Sequence, residues 1–392
     1  MNTKQLKLLA DIQTGPFGSQ LHKEDYVAVG TPIVTVEHLG NRVFAEQNLP
    51  MVSDNDKERL NKYVLREGDI VFSRVGSVDR CSYVDAAHDG WMFSGRCLRV
   101  RPNEHLDAMY LYYYFCLEET KQFVRNIAVG ATMPSINTKL LGEVPIAFPS
   151  VEQQARVAQL LSTIDDKIEN NGKINDNLYE MVNAYYTSLF KDVECEMTTI
   201  GNYAERIYSG GTPTTSNAAY WDGAFGWFSS GETRNRFVIS TEKTITQAGI
   251  DNSSTKLAAK HDIVMASAGQ GFTRGQTSML LIDTYVNQSV IVIHAERKVL
   301  PYLFWNLANR YEELRAISDS SSIRGSLTTK MIAAFEIPLA NEESLQAFAD
   351  FSWSVIPQIE NNLLENERLA ALRDNLLPKL MSGEIDVSNI QL

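Results

Sequence analysis

The sequence predicts an α+β fold in which one unit, a globular block followed by a long helix, occurs twice. The first observation is a repeated phrase: Ile168 to Asn171 reads the same as Ile359 to Asn362, 191 residues further along a chain of 392. The second is that each copy lies inside a long helical pattern. The third is that other segments recur at nearly the same offset, which is the signature of an internal duplication.

The two long helices show the seam of a coiled coil. In the first, seam residues alternate in steps of four and three from Val157 to Leu189, the spacing that lets two helices interlock. A buried Asn destabilises unless it pairs, so seam asparagines fix the register of the two helices. We therefore predict an antiparallel coiled coil with four asparagines at its centre: Asn171, Asn175, Asn362 and Asn366. The alternative is two unrelated amphipathic helices, each packed within its own domain.

The globular blocks repeat as well. Asp69 to Phe72 recurs as Asp262 to Met265, and a loop with glycine and arginine follows each. Short β-branched runs alternate with Gly, Pro, Ser and Asn clusters, which predicts short strands and long loops. Capping residues mark both helix starts, and Gly383 is placed to end the second helix. The predicted domains are 1–149 and 194–340 for the globular blocks, and 150–193 and 341–392 for the helical regions.

The net charge of −12 at first argues against nucleic acid as a partner. However, the helical regions 150–193 and 341–392 contain 7 basic and 16 acidic residues and so carry −9 of this charge. The globular blocks hold 29 basic and 32 acidic residues, a net charge of −3, which is enough basic residues for a basic face on each. The distribution therefore permits nucleic-acid binding without requiring it.

Composition also bounds the compartment. The longest apolar runs are short, such as Val290 to Ile293, and residues 1–10 lack the apolar core of a signal peptide. The four cysteines, Cys81, Cys97, Cys116 and Cys195, form no C-x-x-C pair, which favours free thiols in a reducing compartment. We expect a cytoplasmic protein that does not associate with membranes.

Motifs for catalysis are missing from the sequence. The six histidines have no partner at helical spacing, so the zinc motif of two such histidines is absent. The loop from Gly269 to Gly275 lacks the Lys-Ser/Thr end of a phosphate-binding loop. We therefore expect no catalytic residue, no metal and no cofactor, and predict that the chain is not an enzyme by itself.

Loops in both blocks carry side chains suited to reading DNA. Arg recognises guanine edges, Asn and Gln recognise adenine, and Ser, Thr and Lys hold phosphates. Any one such loop is more often simply solvated, so the weight lies in the recurrence of equivalent loops. The candidate DNA-binding residues are Ser19, Gln20, Arg74, Ser77, Arg80, Ser135 and Lys139 in the first block and Thr214, Arg234, Arg236, Gln270, Arg274, Arg324 and Lys330 in the second.

With these features the chain resembles the specificity subunit of type I restriction-modification systems over essentially its whole length. The doubled block-and-helix plan carries the resemblance, and so does Gly68 to Ser73 with the glycine loop that follows. The junction from Val144 to Gln154, with its Pro-x-x-Glu-Gln spacing, is the most specific motif. The second copy, Ile337 to Gln346, keeps the outline of this junction but not that spacing.

The resemblance implies two target-recognition domains, each reading one half of a bipartite site in double-stranded DNA. It also implies methyltransferase subunits, which bring S-adenosylmethionine and methylate adenine, and restriction subunits, which join that complex for cleavage. The competing hypothesis is a repeat scaffold or decoy specificity subunit that binds only the methyltransferase partner and no DNA.

Physical dimensions fit this implication. A helix of about 30 residues is roughly 45 Å long, and half-sites one turn of DNA apart are about 34 Å apart. We therefore expect the helical pair to act as a ruler that leaves unread base pairs between the two half-sites.

Overall fold

The computed structural model describes residues 1–40, 42–191, 196–269, 273–320 and 325–388, without the side chains of Ser19, Lys23 and Ser320. The chain divides into two compact units: the first comprises residues 1–167 and 369–392, and the second comprises residues 168–368. Each unit combines strands with helices, which confirms the predicted α+β class. No helix among the described residues is both long and apolar enough to cross a bilayer.

The first unit contains two four-stranded sheets and one strand pair. One sheet has the order β2-β9-β6-β7, the other has the order β3-β5-β4-β8, and β1 pairs with β10. Its strands are β1 Asn2–Gln5, β2 Ala10–Thr14, β3 Tyr26–Val27, β4 Thr31–Val34, β5 Met51–Val52, β6 Ile70–Ser73, β7 Cys81–Tyr83, β8 Met92–Phe93, β9 Cys97–Pro102 and β10 Pro145–Phe148. Its shorter helices are α1 Asp54–Arg59, α2 Ala108–Cys116, α3 Glu118–Ile127 and α4 Thr138–Leu141.

The long helix α5, Val151–Phe190, begins in the first unit and ends in the second. At its start the amide of Gln153 donates to the Ser150 hydroxyl at 3.4 Å, so the predicted N-cap is confirmed. The second long helix, α11, Glu342–Ser382, runs from the second unit into the first. It stops at Gly383, whose φ of 77° suits glycine, as the sequence predicted.

The second unit has the same plan of two sheets and one strand pair as the first, with one more strand in its larger sheet. Its larger sheet has the order β12-β20-β17-β18-β14, the smaller has the order β15-β13-β19-β16, and β11 pairs with β21. Its strands are β11 Met197–Thr199, β12 Ala204–Ser209, β13 Trp221–Phe228, β14 Phe237–Val238, β15 Lys243–Ile245, β16 Lys256–Ala258, β17 Ile263–Ala266, β18 Thr277–Leu280, β19 Thr284–Val286, β20 Val290–Ala295 and β21 Glu336–Pro338. Its shorter helices are α6 Ile200–Tyr203, α7 Gln247–Asp251, α8 Leu300–Asn309, α9 Tyr311–Ser320 and α10 Thr329–Ala333.

The recurring Asp-Ile-Val motif is the central strand of each unit. In β6 the side chains of Ile70 and Phe72 enter one apolar core, and the side chain of Val71 enters a second. In β17 Ile263 and Val264 divide between two cores in the same way. Because successive side chains of a strand point to opposite faces, this motif is apolar throughout rather than alternating.

Gln154 fixes the start of α5 to the start of α2. Its side chain is 0% exposed. Its Oε1 accepts from the amide of Asp107, the N-cap of α2, at 2.8 Å, while its Nε2 donates to the carbonyl oxygens of His105 at 3.0 Å and Pro149 at 3.1 Å. The Gln of the junction motif therefore has a structural role in this chain.

Replacing Gln154 with alanine is expected to lower the free energy of unfolding by about 2–4 kcal/mol, because one amide and two carbonyl oxygens lose a partner that is itself fully buried. Urea unfolding followed by far-ultraviolet circular dichroism measures the change. Gln159→Ala, an exposed change of the same kind on the same helix, is the control and should cost less than about 0.5 kcal/mol. Equal effects of the two substitutions would contradict the role assigned to Gln154.

Candidate nucleic-acid interface

Loops of the first unit that contain candidate residues converge at the ends of β2, β6 and β9. The amide of Gly76 donates to the carbonyl oxygen of Pro134 at 2.8 Å, which joins two of these loops. The Arg74 guanidinium donates to the carbonyl oxygen of Gly95 at 3.1 Å and joins a third. We call residues 15–18, 74–80, 94–96 and 129–137 the first loop cluster.

Glycine allows residues 15–18 to approach the rest of the cluster. A Cβ on Gly15 would lie 2.2 Å from the carbonyl oxygen of Ser94. A Cβ on Gly95 would lie 2.5 Å from the carbonyl oxygen of Pro16 and 2.7 Å from the Cβ of Phe17. These distances are too short for any larger residue, so the two loops touch because both positions are glycine.

The second unit builds a corresponding set of loops. The amide of Leu327 donates to the carbonyl oxygen of Ser267 at 2.8 Å. The amide of Ser267 in turn donates to the carbonyl oxygen of Ser289 at 2.9 Å. The Thr212 hydroxyl donates to Oε1 of Gln288. We call residues 210–214, 267–269, 273–276, 287–289 and 325–328 the second loop cluster.

Four candidate residues of the first unit lie together in the first loop cluster: Arg74, Ser77, Arg80 and Ser135. Ser77 and Arg80 are exposed, and Arg74 is partly buried by its bond to Gly95. The Ser135 hydroxyl donates to the carbonyl oxygen of Val129 at 3.2 Å, within its own loop. These residues form the most compact group among the candidates of this unit.

The remaining candidates of the first unit are placed differently. Gln20 braces its loop, because its Oε1 accepts from the Tyr63 hydroxyl at 2.7 Å. Lys139 is exposed on α4, directly after the first loop cluster. The side chain of Ser19 lies outside the described residues.

Three candidate arginines of the second unit already hold partners within that unit. Arg234 forms an ion pair with Glu242. Arg236 forms an ion pair with Asp176 of α5 at 3.2 Å, and its guanidinium lies 4.3 Å from the centre of the Tyr179 ring. Burial raises the pKa of the Tyr179 hydroxyl, and the nearby Arg236 partly offsets that rise. Contacts of this kind compete with DNA for the same guanidinium groups.

Arg274 is the third of these arginines. It forms an ion pair with Asp319 and donates to the carbonyl oxygen of Gly325 at 2.5 Å, so it connects two loops of the second loop cluster. Of the other candidates, Thr214 and Lys330 are exposed. Gln270 and Arg324 lie outside the described residues.

Besides Arg234 and Arg236, the exposed candidate cations in the described part of the chain are the three residues Arg80, Lys139 and Lys330. Within the described ranges, none of the three forms an ion pair. Lys139 and Lys330 are 191 residues apart and lie on corresponding helices, α4 and α10. An exposed cation without a carboxylate partner is free to contact a phosphate.

The four seam asparagines pair across α5 and α11 inside the second unit. Nδ2 of Asn171 donates to Oδ1 of Asn366 at 2.9 Å, and Nδ2 of Asn362 donates to Oδ1 of Asn175 at 2.8 Å. Asn171 also donates to Glu365 at 2.7 Å. Later residues of one helix meet earlier residues of the other, so the two helices are antiparallel. Equivalent residues have the same role in the two bonds, since Asn171 and Asn362 donate whereas Asn366 and Asn175 accept, and this pairing fixes the register of the helices.

A charged pair takes the place of an apolar contact at the seam in the first unit. Oδ1 of Asp165 accepts from Arg373 at 2.7 Å, and its Oδ2 accepts from the Tyr113 hydroxyl at 2.6 Å. Partial burial alone would lower the pKa of Arg373, but Asp165 and Asp374 together raise it. Burial, and then the nearby Asp165 carboxylate, raise the pKa of Tyr113. Asp165 is therefore the shared acceptor for Arg373 and Tyr113.

Exposed residues that sequence reasoning left out also belong to the loop clusters. In the first cluster these are Phe17, whose side chain is 62% exposed, and Arg96. In the second cluster Gln288 is exposed between β19 and β20. The glycines Gly15 and Gly210, which directly follow β2 and β12, were a signal in the sequence for these loops. Which loops contact each other is shown only by the pairing of the strands.

The described residues contain no group of three or more His, Cys, Asp or Glu side chains able to hold a metal ion. The aromatic residues of α2 and α8 do not reach the loop clusters, because Tyr112, Tyr113, Phe304 and Trp305 are buried in the cores. These four aromatic side chains are therefore not available to stack on bases.

Comparison with known proteins identifies the family. The model of the type I restriction modification DNA specificity domain matches residues 1–180 and 193–367. The chain belongs to this family. The two matches divide the specificity chain into two copies, in agreement with the duplication that the sequence predicted.

Two curated relatives, both type I restriction enzyme specificity subunits, align with this chain over most of their length. The HindI specificity subunit of Haemophilus influenzae is 20% identical, with 83% of this chain and 88% of that protein aligned. The MjaIX specificity subunit of Methanocaldococcus jannaschii is also 20% identical, over 99% of this chain and 94% of that protein. This specificity-family chain is therefore similar to whole subunits of type I restriction enzymes.

A solved structure shows the same fold. The type I restriction-modification S subunit from M. genitalium matches with a TM-score of 0.59 and 17% identity, over 97% of this chain and 95% of that one. The likeness supports the architecture of two α+β units with a pair of long helices.

Proposed function

We propose that this chain is the DNA sequence-recognition subunit of a type I restriction-modification complex. Its target-recognition domains, 1–149 and 194–340, would each read one half of a bipartite site in double-stranded DNA. The observation that carries the proposal is that each unit forms a loop cluster on equivalent strands. Two target-recognition domains with the same fold but different loop side chains are suited to a DNA site whose two halves differ in sequence.

The chemistry of the loop clusters supports a division of tasks. Exposed cations such as Arg80, Lys139 and Lys330 would hold phosphates and so position each unit on the duplex. Polar side chains of the loop clusters would reach base edges and supply sequence preference. Arg234, Arg236 and Arg274 would contact DNA only by exchanging their present carboxylate partners.

The proposal includes partners that carry the chemistry. Methyltransferase subunits, with S-adenosylmethionine bound, would be positioned for adenine methylation, and restriction subunits would join for cleavage. The helical regions 150–193 and 341–392 carry −9 of the net charge, so a protein partner suits them better than a phosphate backbone does. In this account the chain itself recognises DNA and transfers no group.

A selection from random duplexes tests the proposal directly. The full chain, with its methyltransferase subunits present, is expected to enrich a motif of two short parts separated by unread base pairs. Binding of that motif should weaken steeply as salt rises, because phosphate contacts release counterions. A complex that assembles but enriches no sequence would instead support the scaffold or decoy hypothesis.

The variant Lys139→Ala/Lys330→Ala is expected to weaken binding to all sequences about equally. Each lost phosphate contact should reduce the slope of log affinity against log salt by about 1, with the enriched motif unchanged. Fluorescence anisotropy at several salt concentrations measures both quantities. The control, Lys173→Ala/Lys379→Ala, removes the same charge from exposed positions of α5 and α11. If both variants change the slope equally, Lys139 and Lys330 make no specific phosphate contact.

A further inference from the structure

Strand pairing aligns the loop clusters of the two units residue by residue. In the first unit Thr14 of β2 pairs with Leu98 of β9. In the second unit Ser209 of β12 pairs with Ile291 of β20. Since these strands are equivalent, position 15 corresponds to 210, position 17 to 212 and position 95 to 288.

The central strands extend this alignment. Ser73 of β6 pairs with Cys97, and Ala266 of β17 pairs with Val290. The next residue along each strand is therefore also equivalent, so Arg74 corresponds to Ser267. Two sets of three residues result: the first trio is Phe17, Arg74 and Gly95, and the second trio is Thr212, Ser267 and Gln288.

Contacts within the trios agree with the alignment. Phe17 lies against Gly95, where an added Cβ would be 2.7 Å from the Cβ of Phe17. At the corresponding positions the Thr212 hydroxyl donates to Gln288. The two units thus bring the same pair of loops together, and they do so with different side chains.

The first trio presents an aromatic ring and a cation. The ring of Phe17 is 62% exposed, and the Arg74 guanidinium lies 5.9 Å from its centre. Arg74 donates to the Gly95 carbonyl oxygen through Nη1, and no other described residue accepts from its guanidinium, so further N–H donors of its fork can reach a ligand. Phe17 belongs to none of the apolar cores of the unit.

The second trio presents an amide and a hydroxyl group instead. Gln288 is exposed, Thr212 is partly exposed, and Ser267 is buried. No described residue accepts from the Gln288 Nε2, which can therefore donate to a ligand, and its Oε1 has a second lone pair beyond the one that Thr212 uses. Gly95 cannot become a similar amide in the first unit, because Pro16 and Phe17 leave no room for a side chain.

We propose that these two trios give the two units different base preferences. Phe17 and Arg74 contact a thymine methyl group and a guanine edge in the half-site of the first unit. Thr212 and Gln288 contact an adenine edge in the half-site of the second unit. In the major groove, an arginine donates to guanine, a glutamine both donates to and accepts from adenine, and an apolar ring contacts the thymine methyl group. The inference rests on the proposed DNA-reading function and adds the residues that distinguish its two halves.

The test uses the full chain with its methyltransferase subunits and a selection from random duplexes. The variant Phe17→Thr/Arg74→Ser is expected to lower the preference for the best base about 5- to 150-fold at one or two positions of one half of the motif. Gln288→Ala is expected to do the same at an adenine in the other half only. Val29→Thr, at a position whose side chain is 87% exposed in the first unit, is the control and should leave the motif unchanged.

A second measurement addresses the methyl group itself. Replacing the thymines of the first half-site by uracil removes only the methyl groups. Binding by the unmodified chain should weaken, whereas binding by Phe17→Ser, which has no methyl group or ring to contact thymine, should not weaken further. This comparison also serves if the double variant fails to fold, because Phe17 is exposed and its single substitution disturbs no core.

The outcomes separate the inference from the function on which it rests. If the unmodified chain enriches a two-part motif and both trio variants enrich the same motif, the inference is overturned and the DNA-reading function stands. If either variant alters both halves together, the assignment of one trio to each half is overturned. If the unmodified chain enriches no motif, the proposed function fails, and the inference fails with it.

Discussion

The variant Asp165→Ala is expected to destabilise the first unit by about 3 kcal/mol. Alanine removes an acceptor that holds both Arg373 at 2.7 Å and the Tyr113 hydroxyl at 2.6 Å. The buried Tyr113 hydroxyl would lose this acceptor, and Arg373 would keep its contact with Asp374. Breaking a buried pair from one side is costly, because the remaining group is not rehydrated.

The second unit supplies a matched control for this prediction. Adding or subtracting 191 converts Asp165 and Arg373 into Ile356 and Val182, both of which are buried in the apolar core of the second unit. The corresponding positions of the second unit are thus apolar. The triple exchange Asp165→Ile/Arg373→Val/Tyr113→Phe should leave stability within about 1 kcal/mol of the original value or raise it, because a buried ion pair can be replaced by apolar packing.

Amide hydrogen exchange with mass spectrometry resolves peptides of the first unit and measures both variants. The prediction requires faster exchange in α2 and in the first half of α5 for Asp165→Ala, and near-normal exchange for the triple exchange. Equal destabilisation by the two variants would show that the charged pair has a role that apolar packing cannot fill.

A heptad inserted into each long helix is expected to lengthen the unread spacer of the DNA site by about three base pairs. Seven residues of helix add about 10.5 Å, and a base-pair step along the duplex is about 3.4 Å. Insertion after Lys167 and after Arg368 keeps the asparagine pairs within one unit. A whole heptad also preserves the seam on either side of each insertion.

Mapping the methylated sites of the double insertion measures the spacer. The two half-sites should remain as they were, because no loop of either cluster changes. An insertion into α5 alone is the control, since it shifts one seam against the other and should abolish methylation. An unchanged spacer in an active double-insertion variant would contradict a ruler made from the helical pair.

Much of the architecture could be predicted because it depends on periodicity. The seam spacing and the repeated Ile-Glu-Asn-Asn phrase fixed both helices and their antiparallel pairing. Asn171 and Asn362 were recognisable because an amide at an apolar seam position requires a partner, and the duplication supplied one. Strand β6 was recognisable from three consecutive apolar residues between turn residues.

Side-chain partners that are distant in sequence could not be predicted. Nothing near Arg236 indicates that it meets Asp176 of α5, 60 residues earlier. Nothing near Arg373 indicates that its partner is Asp165 of the other long helix, 208 residues earlier. Such pairings depend on how loops and helices pack, which local pattern does not encode.

The loop clusters were predictable only in outline. Glycine and arginine marked the segments, but their meeting points follow from strand register and from the close approach at Gly15 and Gly95. Phe17 carried no signal of its own, because one aromatic residue in a loop is as often a core residue as a contact. Its exposure beside Arg74 became visible only in three dimensions.

The central claim is that two similar units each read one half of a DNA site. Long-read mapping of adenine methylation, in cells with and without this gene and with its methyltransferase partner present, tests that claim most directly. The account predicts one motif of two short parts around a fixed gap of unread bases, methylated only when the gene is present. A methylation pattern that does not change when the gene is removed, or a single uninterrupted motif that depends on the gene, would contradict it.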